Sequence, residues 1–224
     1  MRVNPVDGYN LWAPDYDSAP NPLLALEKRT VTRLLSGKVP RRVVDIACGT
    51  GRWMLHFSRA GATVQGIDAS PKMLAEAAKH KALHGRVVLG DAQDIPLASN
   101  IADLVVCSFA AAYIRDLARL MAELARITVQ GGQVAMSDMH CHAAAAGWRR
   151  SFKKGAALYE VEHFDHSLPD MREAAEAQGL RPDREFHARF GEDERPIFEC
   201  AGKQHLYSQL RTIPAVWVGL WTKP

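Results

Sequence analysis

The sequence has few of the features that mark membrane, secreted or nucleic-acid-binding proteins. No apolar run approaches the roughly 18 residues of a membrane span, and residues 1–10 contain no apolar signal core. The net charge is only +3, and basic residues are interleaved with acids. This balance argues against the basic face of a nucleic-acid binder. We therefore expect neither a membrane nor a nucleic-acid partner.

Cysteine is scarce and widely spaced. The four cysteines show no C-x-x-C pair, and Cys48 and Cys107 lie in apolar, strand-like runs. Buried thiols in a reducing compartment are the simplest account, so we expect a cytoplasmic protein. The 224 residues, of which 47% are hydrophobic, suffice for one α/β domain with a substantial core.

A glycine-rich turn follows the first clear strand signal, at residues 43–51. β-Branched residues favour a short buried strand, and Gly49 and Gly51 let the backbone turn sharply beside a ligand. A helical segment, residues 53–60, comes next. Open α/β sheets present nucleotide-like ligands in this order of strand, glycine turn and helix, at the carboxyl ends of their strands.

Two common phosphate-binding motifs are absent. Met54 replaces the third glycine of G-x-G-x-x-G, and G-x-x-x-x-G-K-[ST] has no match. What remains is Asp-x-Ala-x-Gly-x-Gly, which begins at Asp45. A carboxylate before the turn suits a cationic ligand better than a pyrophosphate. The segment resembles the first motif of the class I methyltransferases that use S-adenosylmethionine.

Asp68 ends the second predicted strand, at residues 63–68. It lies 19 residues after Gly49, where a βαβ unit is expected to place a ribose-binding carboxylate. A helix follows, with Met73 in its first turn. Met73 either flanks an adenine or fills the core, since methionine is an adaptable gap filler.

Asp91 and Ala92 follow the third predicted strand, at residues 86–89. Their segment, Gly-Asp-Ala-x-x-Ile-Pro, also looks like the methyltransferase pattern, in which the acid accepts a hydrogen bond from adenine. A solvated turn is the alternative. The fourth strand resembles the fourth family motif, whose last residues face the methyl group and the substrate. Ser108, Phe109 and Ala110 hold those positions.

The resemblance implies both a fold and a cofactor. The implied fold is a Rossmann-like, doubly wound α/β sheet of seven mostly parallel strands, the last one antiparallel. One domain would comprise an N-terminal arm and helix (1–37), a cofactor-binding core (38–138) and a substrate-side insertion with a C-terminal hairpin (139–224). The cofactor is S-adenosylmethionine, and the residues implied to hold it are Tyr16, Asp45, Ala47, Gly49, Gly51, Asp68, Ala69, Met73, Asp91, Ala92 and Ser108.

The first 20 residues are rich in proline, aspartate and aromatic residues, which is not typical of a regular helix. They form either an ordered arm over a pocket or a loose leader. A Trp-x-x-x-Tyr-Asp stretch ahead of Asn-Pro-Leu-Leu is similar to the family's N-terminal segment and implies that the arm closes over the cofactor. Asn21 and Pro22 then begin a helix that ends at Gly37.

The resemblance fades in the second half, so we expect the acceptor to be selected by residues 139–170 and by the arm. His140 and His142 would point the same way from an extended chain. They are metal ligands, a general base or substrate contact, or ordinary polar residues. We assign no metal ligand and take His140 as the candidate catalytic residue, because it is nearest the strand end. The candidate substrate contacts are Tyr9, Trp12, Phe109, His142, Arg149, His163 and His166.

Two further segments of the second half carry expectations. The basic run at residues 148–154 is either a solvated helix face or a receptor for an anionic substrate group, with Arg149 or Arg150 pairing a carboxylate. The long connection at residues 191–213 is expected to fold over one end of the sheet.

The implied function is methyl transfer to a small-molecule acceptor by in-line displacement, with S-adenosylhomocysteine as product and secondary metabolism as the setting. One alternative is an S-adenosylmethionine-binding protein with a non-methylating reaction or a binding role. Another is an RNA base methyltransferase, against which the modest charge counts. We expect a small-molecule partner and a monomer or homodimer.

Overall fold

Ten strands and nine helices occupy residues 1–37 and 40–224, the residues that the computed structural model describes. The strands are β1 (Arg2–Val3), β2 (Arg42–Ile46), β3 (Thr63–Asp68), β4 (Val87–Leu89), β5 (Ala102–Ser108), β6 (Thr128–Met139), β7 (Ser151–Lys154), β8 (Ala157–Val161), β9 (Arg181–Ala188) and β10 (Val216–Thr222). The helices are α1 (Pro5–Trp12), α2 (Pro22–Leu34), α3 (Arg52–Arg59), α4 (Pro71–Ala78), α5 (Leu117–Ile127), α6 (Cys141–Ala145), α7 (Leu168–Glu176), α8 (Arg195–Cys200) and α9 (Gln204–Leu210). The predicted start of the cofactor-binding core, at residue 38, lies outside the described residues.

Seven strands form one sheet in the order β4-β3-β2-β5-β6-β10-β9. Neighbours pair in parallel except β10, which is antiparallel to both β6 and β9. The chain runs outward from β2 to β4 and then returns to β5. The carboxyl ends of β2 and β5 therefore flank the crevice where ligands bind in such sheets. The predicted doubly wound, mostly parallel sheet with an antiparallel last strand is confirmed.

Helices cover both faces of this sheet. Val43 and Leu104 pack with α2 and α3 on one face, and Val44 and Val105 pack with α5 and α7 on the other. Strands that are buried on both faces consist of nearly continuous apolar residues. This pattern is what identifies β2 and β5 in the sequence. None of the helices in the described residues has the length and apolar character that crossing a membrane requires.

Helix α1 corrects the expectation that the first 20 residues contain no regular helix. The Asn4 side chain accepts a hydrogen bond from the Asp7 backbone N–H, and Pro5 holds the first helical position. Proline is tolerated there because its missing N–H would have no partner within the helix. The next proline, Pro14, comes after the last residue of α1. One proline thus lies in the first turn of the helix and the next lies beyond its end, so neither interrupts it.

A second sheet, of three strands, joins the N-terminal arm to the insertion that follows β6. The strands β7 and β8 form a hairpin, and β1 pairs in parallel with β8. The Trp12 ring stacks on Phe152, with centroids 4.8 Å apart and planes 5° apart. One of the two predictions for residues 148–154, a solvated helix face, is wrong, because residues 151–154 form strand β7. The N-terminal arm and the insertion after β6 therefore form one layer.

The long connection between β9 and β10 contains α8 and α9. Phe198 and Tyr207 are buried in the same core cluster as Leu26 of α2. Arg29 of α2 binds the buried Glu194 with two hydrogen bonds of 2.8 and 2.9 Å. This connection therefore packs on the α2 face of the sheet.

A buried glycine of β3 provides a test of this packing. An ideal Cβ at Gly66 would overlap the Met54 sulfur and lie 2.8 Å from the Cys48 sulfur. We expect Gly66→Ala to lower the free energy of unfolding by about 1–3 kcal/mol, the usual cost of overpacking, as measured by urea denaturation. Gly191→Ala is the control, because its Cβ would lie 3.6 Å from Arg29, an ordinary contact. Equal stabilities of the two variants would contradict the packing described here.

Candidate functional site

A cavity of about 450 Å³ lies at the carboxyl ends of β2, β3 and β5, beneath α1. Parallel strands bring their carboxyl ends to one edge of the sheet, so residues distant in sequence meet here. The sequence-predicted residues that line it are Tyr9, Tyr16, Asp45, Ala47, Gly49, Asp68, Ala69, Met73, Asp91, Ala92, Ser108 and Phe109. Most of the predicted cofactor residues therefore share one cavity.

The glycine turn forms the floor of the cavity. Gly49 has a φ of 54°, and an ideal Cβ there would meet nothing within 4 Å, so Gly49 borders open space. Gly51 does not line the cavity. It begins α3 with a φ of 85°, and its Cβ would lie 2.5 Å from Leu83 Cδ1. The positive φ and the close contact with Leu83 therefore explain why a glycine stands at this position, without any ligand contact.

Asp68 ties the glycine turn to the next helix. Its Oδ2 accepts from the Gly49 N–H and its Oδ1 from the Ser70 N–H, both at 2.8 Å. Burial raises the pKa of Asp68, although the hydrogen bonds from these two backbone amides oppose the shift. Each carboxylate oxygen has a second lone pair, so Asp68 can still accept from ligand hydroxyls.

The same connection reaches the arm above the cavity. The Ser70 hydroxyl donates to Asn10 Oδ1 of α1 at 2.8 Å, and the Lys72 N–H donates to the same oxygen at 3.2 Å. Asn10 therefore docks α1 on the start of α4. Tyr9 of α1 and Tyr16, which follows α1, line the cavity.

Asp45 is a buried carboxyl, 2% exposed, that faces the cavity. Within residues 1–37 and 40–224, no basic side chain lies within 4.0 Å of it; the nearby Arg52 pairs with Glu27 instead. Burial raises the pKa of Asp45 to about 8; the Arg52 charge opposes this rise, while the Glu27 and Asp68 charges add to it. A buried acid that faces a cavity in this way suits a cationic ligand.

A buried polar network supports Ser108 beside the cavity. Glu27 Oε1 accepts from Trp53 Nε1 at 3.1 Å and from the Ser108 and Ser137 hydroxyls, each at 2.8 Å. Glu27 Oε2 lies 2.8 Å from Arg52 Nη1, and Arg52 Nη2 donates to Ser108 at 3.2 Å. Sequence reasoning missed Glu27 and Arg52.

A signal for Glu27 exists in the sequence. It lies three residues after Leu24 and four before Val31, on the predicted apolar face of α2. An acid on the buried face of a helix needs a polar partner, because an unpaired buried charge is costly.

Two phenols form the other end of the cavity. The Tyr9 hydroxyl donates to the Tyr113 hydroxyl at 3.0 Å. Arg150 Cζ lies 5.3 Å from the Tyr113 ring centroid, and Arg150 Nη2 lies 2.6 Å from Asp138 Oδ1. Burial raises the pKa of both Tyr9 and Tyr113, so both phenols stay neutral at pH 7. The carboxylate that pairs with Arg150 belongs to this chain itself.

His140, the predicted catalytic residue, does not line the cavity. Its Nδ1 accepts from the His142 N–H at 3.1 Å, and its Nε2 lies 2.8 Å from His187 Nδ1. Burial lowers the pKa of His140 to about 4, and the neighbouring His187 and His142 contribute to this lowering. Both ring nitrogens are engaged away from the cavity, so the geometry gives no support to His140 as the base.

The other predicted substrate contacts divide in two. Tyr9 and Phe109 line the cavity, while the remaining ones lie outside its lining. The His166 Nε2 lies 2.7 Å from the Ile114 carbonyl oxygen, and the His163 Nδ1 lies 3.0 Å from that of Val161. Arg149 is exposed and donates to the Trp148 carbonyl at 2.9 Å. The contacts outside the lining are Trp12, His142, Arg149, His163 and His166.

Known proteins resemble this chain in sequence. Residues 44–136 match the family described as a methyltransferase domain. A malonyl-[acyl-carrier protein] O-methyltransferase of Pectobacterium atrosepticum is 33% identical over 112 residues, which are 49% of this chain and 44% of that protein. A demethylmenaquinone methyltransferase of Renibacterium salmoninarum is 32% identical over 130 residues, 56% and 54% of the two chains. The chain thus spans about half the length of these curated relatives.

A solved structure resembles the chain over a longer range. The S-adenosylmethionine-dependent methyltransferase from Mesorhizobium loti superimposes with a TM-score of 0.68, covering 89% of this chain and 99% of that one at 20% identity. This likeness concerns the fold. The cavity also fits the cofactor, because the open space at Gly49 admits a ligand and Asp45 is a buried carboxyl group that can ionise beside a cation.

The matched segment is the part of the chain that builds the cavity floor. It contains the glycine turn and the acids at the carboxyl ends of three parallel strands, Asp45 within β2, Asp68 at the end of β3 and Asp91 after β4. Residues 44–136 therefore form a methyltransferase domain with the class I fold, and S-adenosylmethionine is the cofactor that this domain implies.

Proposed function

We propose that the protein transfers the methyl group of S-adenosylmethionine to a small-molecule acceptor, with S-adenosylhomocysteine as the product. The observation that carries this proposal is one cavity with carboxylates at one end and two neutral phenols at the other, covered by α1. The relatives named for O-methylation and for a demethylmenaquinone substrate support a small acceptor.

The proposed cofactor contacts follow the order of the strands. Asp45 and Gly49 bind the methionine part, Asp68 accepts from the ribose hydroxyls, and Asp91 with Ala92 binds the adenine. When bound, the cofactor supplies an electrophilic methyl group. The protein has to align the acceptor behind that carbon and exclude water, which accounts for much of the rate in such reactions.

The acceptor is proposed to bind at the phenol end of the cavity. Apolar side chains, among them Val6, Phe109 and Ile114, line the cavity together with the hydroxyls of Tyr9 and Tyr113. This combination suits a largely apolar molecule whose nucleophilic atom forms a hydrogen bond with a phenol. We propose that Tyr113, with Arg150 behind its ring, positions that atom. Tyr113 thereby takes the place that the sequence suggested for His140.

The other functions that the sequence left open have distinct signatures. A cofactor-binding protein without methyl transfer would bind S-adenosylmethionine and release no S-adenosylhomocysteine. An RNA methyltransferase would bind RNA with strong salt dependence. The cytoplasmic location, the setting in secondary metabolism and the monomeric or dimeric state stay predictions.

The first test is acceptor-dependent turnover. We expect S-adenosylhomocysteine to accumulate when the protein is incubated with S-adenosylmethionine and a panel of small carboxylic acids, phenols and quinols. Tyr113→Phe should lower kcat about tenfold, because one hydrogen bond contributes roughly 1–1.5 kcal/mol. Tyr159→Phe is the matched control, since Tyr159 stacks on Phe152 outside the cavity lining. Tight cofactor binding without product from any acceptor would contradict the proposal.

The raised pKa of Asp45 predicts that cofactor affinity depends on pH. Asp45 is mostly protonated at pH 7 in the free protein, because its pKa is about 8. A cationic ligand favours the ionised form, so binding lowers this pKa and releases a proton. The affinity for S-adenosylmethionine should therefore rise as the pH rises towards about 8 and level off above it.

Titration calorimetry in buffers of different ionisation enthalpy measures that proton. We expect Asp45→Asn to weaken binding and to abolish proton release at pH 7. Asp165→Asn is the control, because its side chain is 99% exposed. Equal proton release by Asp45→Asn and the unmodified protein would remove Asp45 from the site.

Asp68 should affect both binding and stability. Asp68→Ala removes the acceptor for the Gly49 and Ser70 amides, so we expect cofactor binding to be lost and the free energy of unfolding to fall by about 1–3 kcal/mol. Asp68→Asn keeps one acceptor oxygen and should retain more of that stability while still binding poorly. Calorimetry and urea denaturation separate the two effects, and unchanged affinity in both variants would overturn the ribose assignment.

A further inference from the structure

We propose that His140, Cys141 and His142 form a zinc-binding site distinct from the cofactor cavity. One potential ligand atom from each residue lies within 4.8 Å of the other two. None of the three residues lines the cavity, so this site does not rest on the proposed methyl transfer. The sequence alone led us to assign no metal ligand.

The hydrogen bonds around His140 determine where its proton lies. The His142 backbone N–H donates to His140 Nδ1 at 3.1 Å, so Nδ1 is the unprotonated nitrogen. The proton then resides on Nε2, which lies 2.8 Å from His187 Nδ1 and donates to it. His140 therefore presents the lone pair of Nδ1 on the side where the other two ligands lie.

A relay of side chains holds this tautomer. His187 accepts at Nδ1, so its own proton is on Nε2, which lies 2.8 Å from Glu185 Oε1. Arg172 in turn binds both oxygens of Glu185, at 2.8 and 2.6 Å. Metal-binding histidines commonly donate their second N–H to an acceptor or carboxylate that fixes ring and tautomer. The pair His187 and Glu185 supplies that support to His140.

The spacing of nitrogen and sulfur fits tetrahedral coordination. With zinc bonds of about 2.05 Å to nitrogen and about 2.3 Å to sulfur, a tetrahedral angle places the two ligand atoms roughly 3.5 Å apart. The observed separation of His140 Nδ1 and Cys141 Sγ is 3.6 Å. The third ligand atom has to move inward, and the His142 side chain that carries it is exposed.

The donor set selects the kind of ion. A thiolate with two imidazoles favours zinc over magnesium or calcium, which prefer oxygen ligands. His140 is buried while Cys141 and His142 are exposed, so the ion is anchored on one side and reached from solvent on the other. Three protein ligands leave the fourth position for water.

The position of the site suggests what a bound ion does. His140 caps α6, and its backbone N–H donates to the Ala215 carbonyl beside the end of β6. Zinc would replace the His142 N–H as the partner of Nδ1 and would cross-link the end of β6 to the first turn of α6. The ion therefore acts as a structural clip on the connection that leads to Arg150.

Metal binding by the full chain tests this proposal. The protein, freed of any affinity tag and kept reduced, is dialysed against Zn²⁺ and its bound metal is measured; Co²⁺ serves as the spectroscopic probe. We expect one equivalent of zinc and a Co²⁺ spectrum with a thiolate charge-transfer band. Cys141→Ser should remove the band, and His142→Ala should weaken zinc binding at least 100-fold. His187→Ala should weaken it about 10- to 100-fold, as outer-shell changes do.

Cys200→Ser provides the matched control, because Cys200 is also a free and exposed cysteine. It should keep the full Co²⁺ spectrum and zinc stoichiometry. Both test ligands are exposed, so their variants should fold, and circular dichroism checks this. Bound zinc well below one equivalent, a spectrum that survives Cys141→Ser, or one that is lost with Cys200→Ser would overturn the proposal.

Discussion

The Asp68 carboxylate is the contact on which the cofactor end of the molecule depends. One oxygen holds the glycine turn through Gly49 and the other holds the start of α4 through Ser70. Ser70 in turn donates a hydrogen bond to Asn10 of α1. Helix α1, which covers the cavity, is therefore connected to the same carboxylate. One half-buried acid thus connects the glycine turn, the start of α4 and α1, and a ligand that binds Asp68 contacts the point where all three meet.

Carboxyl groups are concentrated around Asp68, and their mutual repulsion costs free energy in the protein without a ligand. Asp45, Asp68 and Glu27 lie close enough that the charges of the latter two raise the pKa of Asp45, and Arg52 offsets only part of the rise. Natural sequences accept such local conflicts where a site needs them. A cationic cofactor would favour the ionised form of Asp45 and would offset the repulsion among these carboxyl groups.

The end of β6 divides between two sites. Asp138 pairs with Arg150 and, through it, supports Tyr113 in the proposed acceptor site. His140, two residues later, is buried against His187 on the other side. Residues at the end of one strand therefore serve the proposed acceptor site and the proposed zinc site separately. The connection from α6 to β7 links the two proposed sites, because it contains Arg150, which pairs with Asp138 of β6.

The parallel sheet, the glycine turn and the acids at the strand ends could be predicted from the amino-acid sequence, because each depends on local periodicity and on residues a few positions apart. The contacts between side chains that are far apart in the sequence depend on how the chain folds in three dimensions. Tyr9 and Tyr113 are 104 residues apart, and Glu27 meets Ser137 over 110 residues. His140 found a partner in His187 and not in the cavity, since pairing of β9 and β10 at the sheet edge fixes that contact. Such contacts follow from how helices and strands pack, which no local pattern encodes.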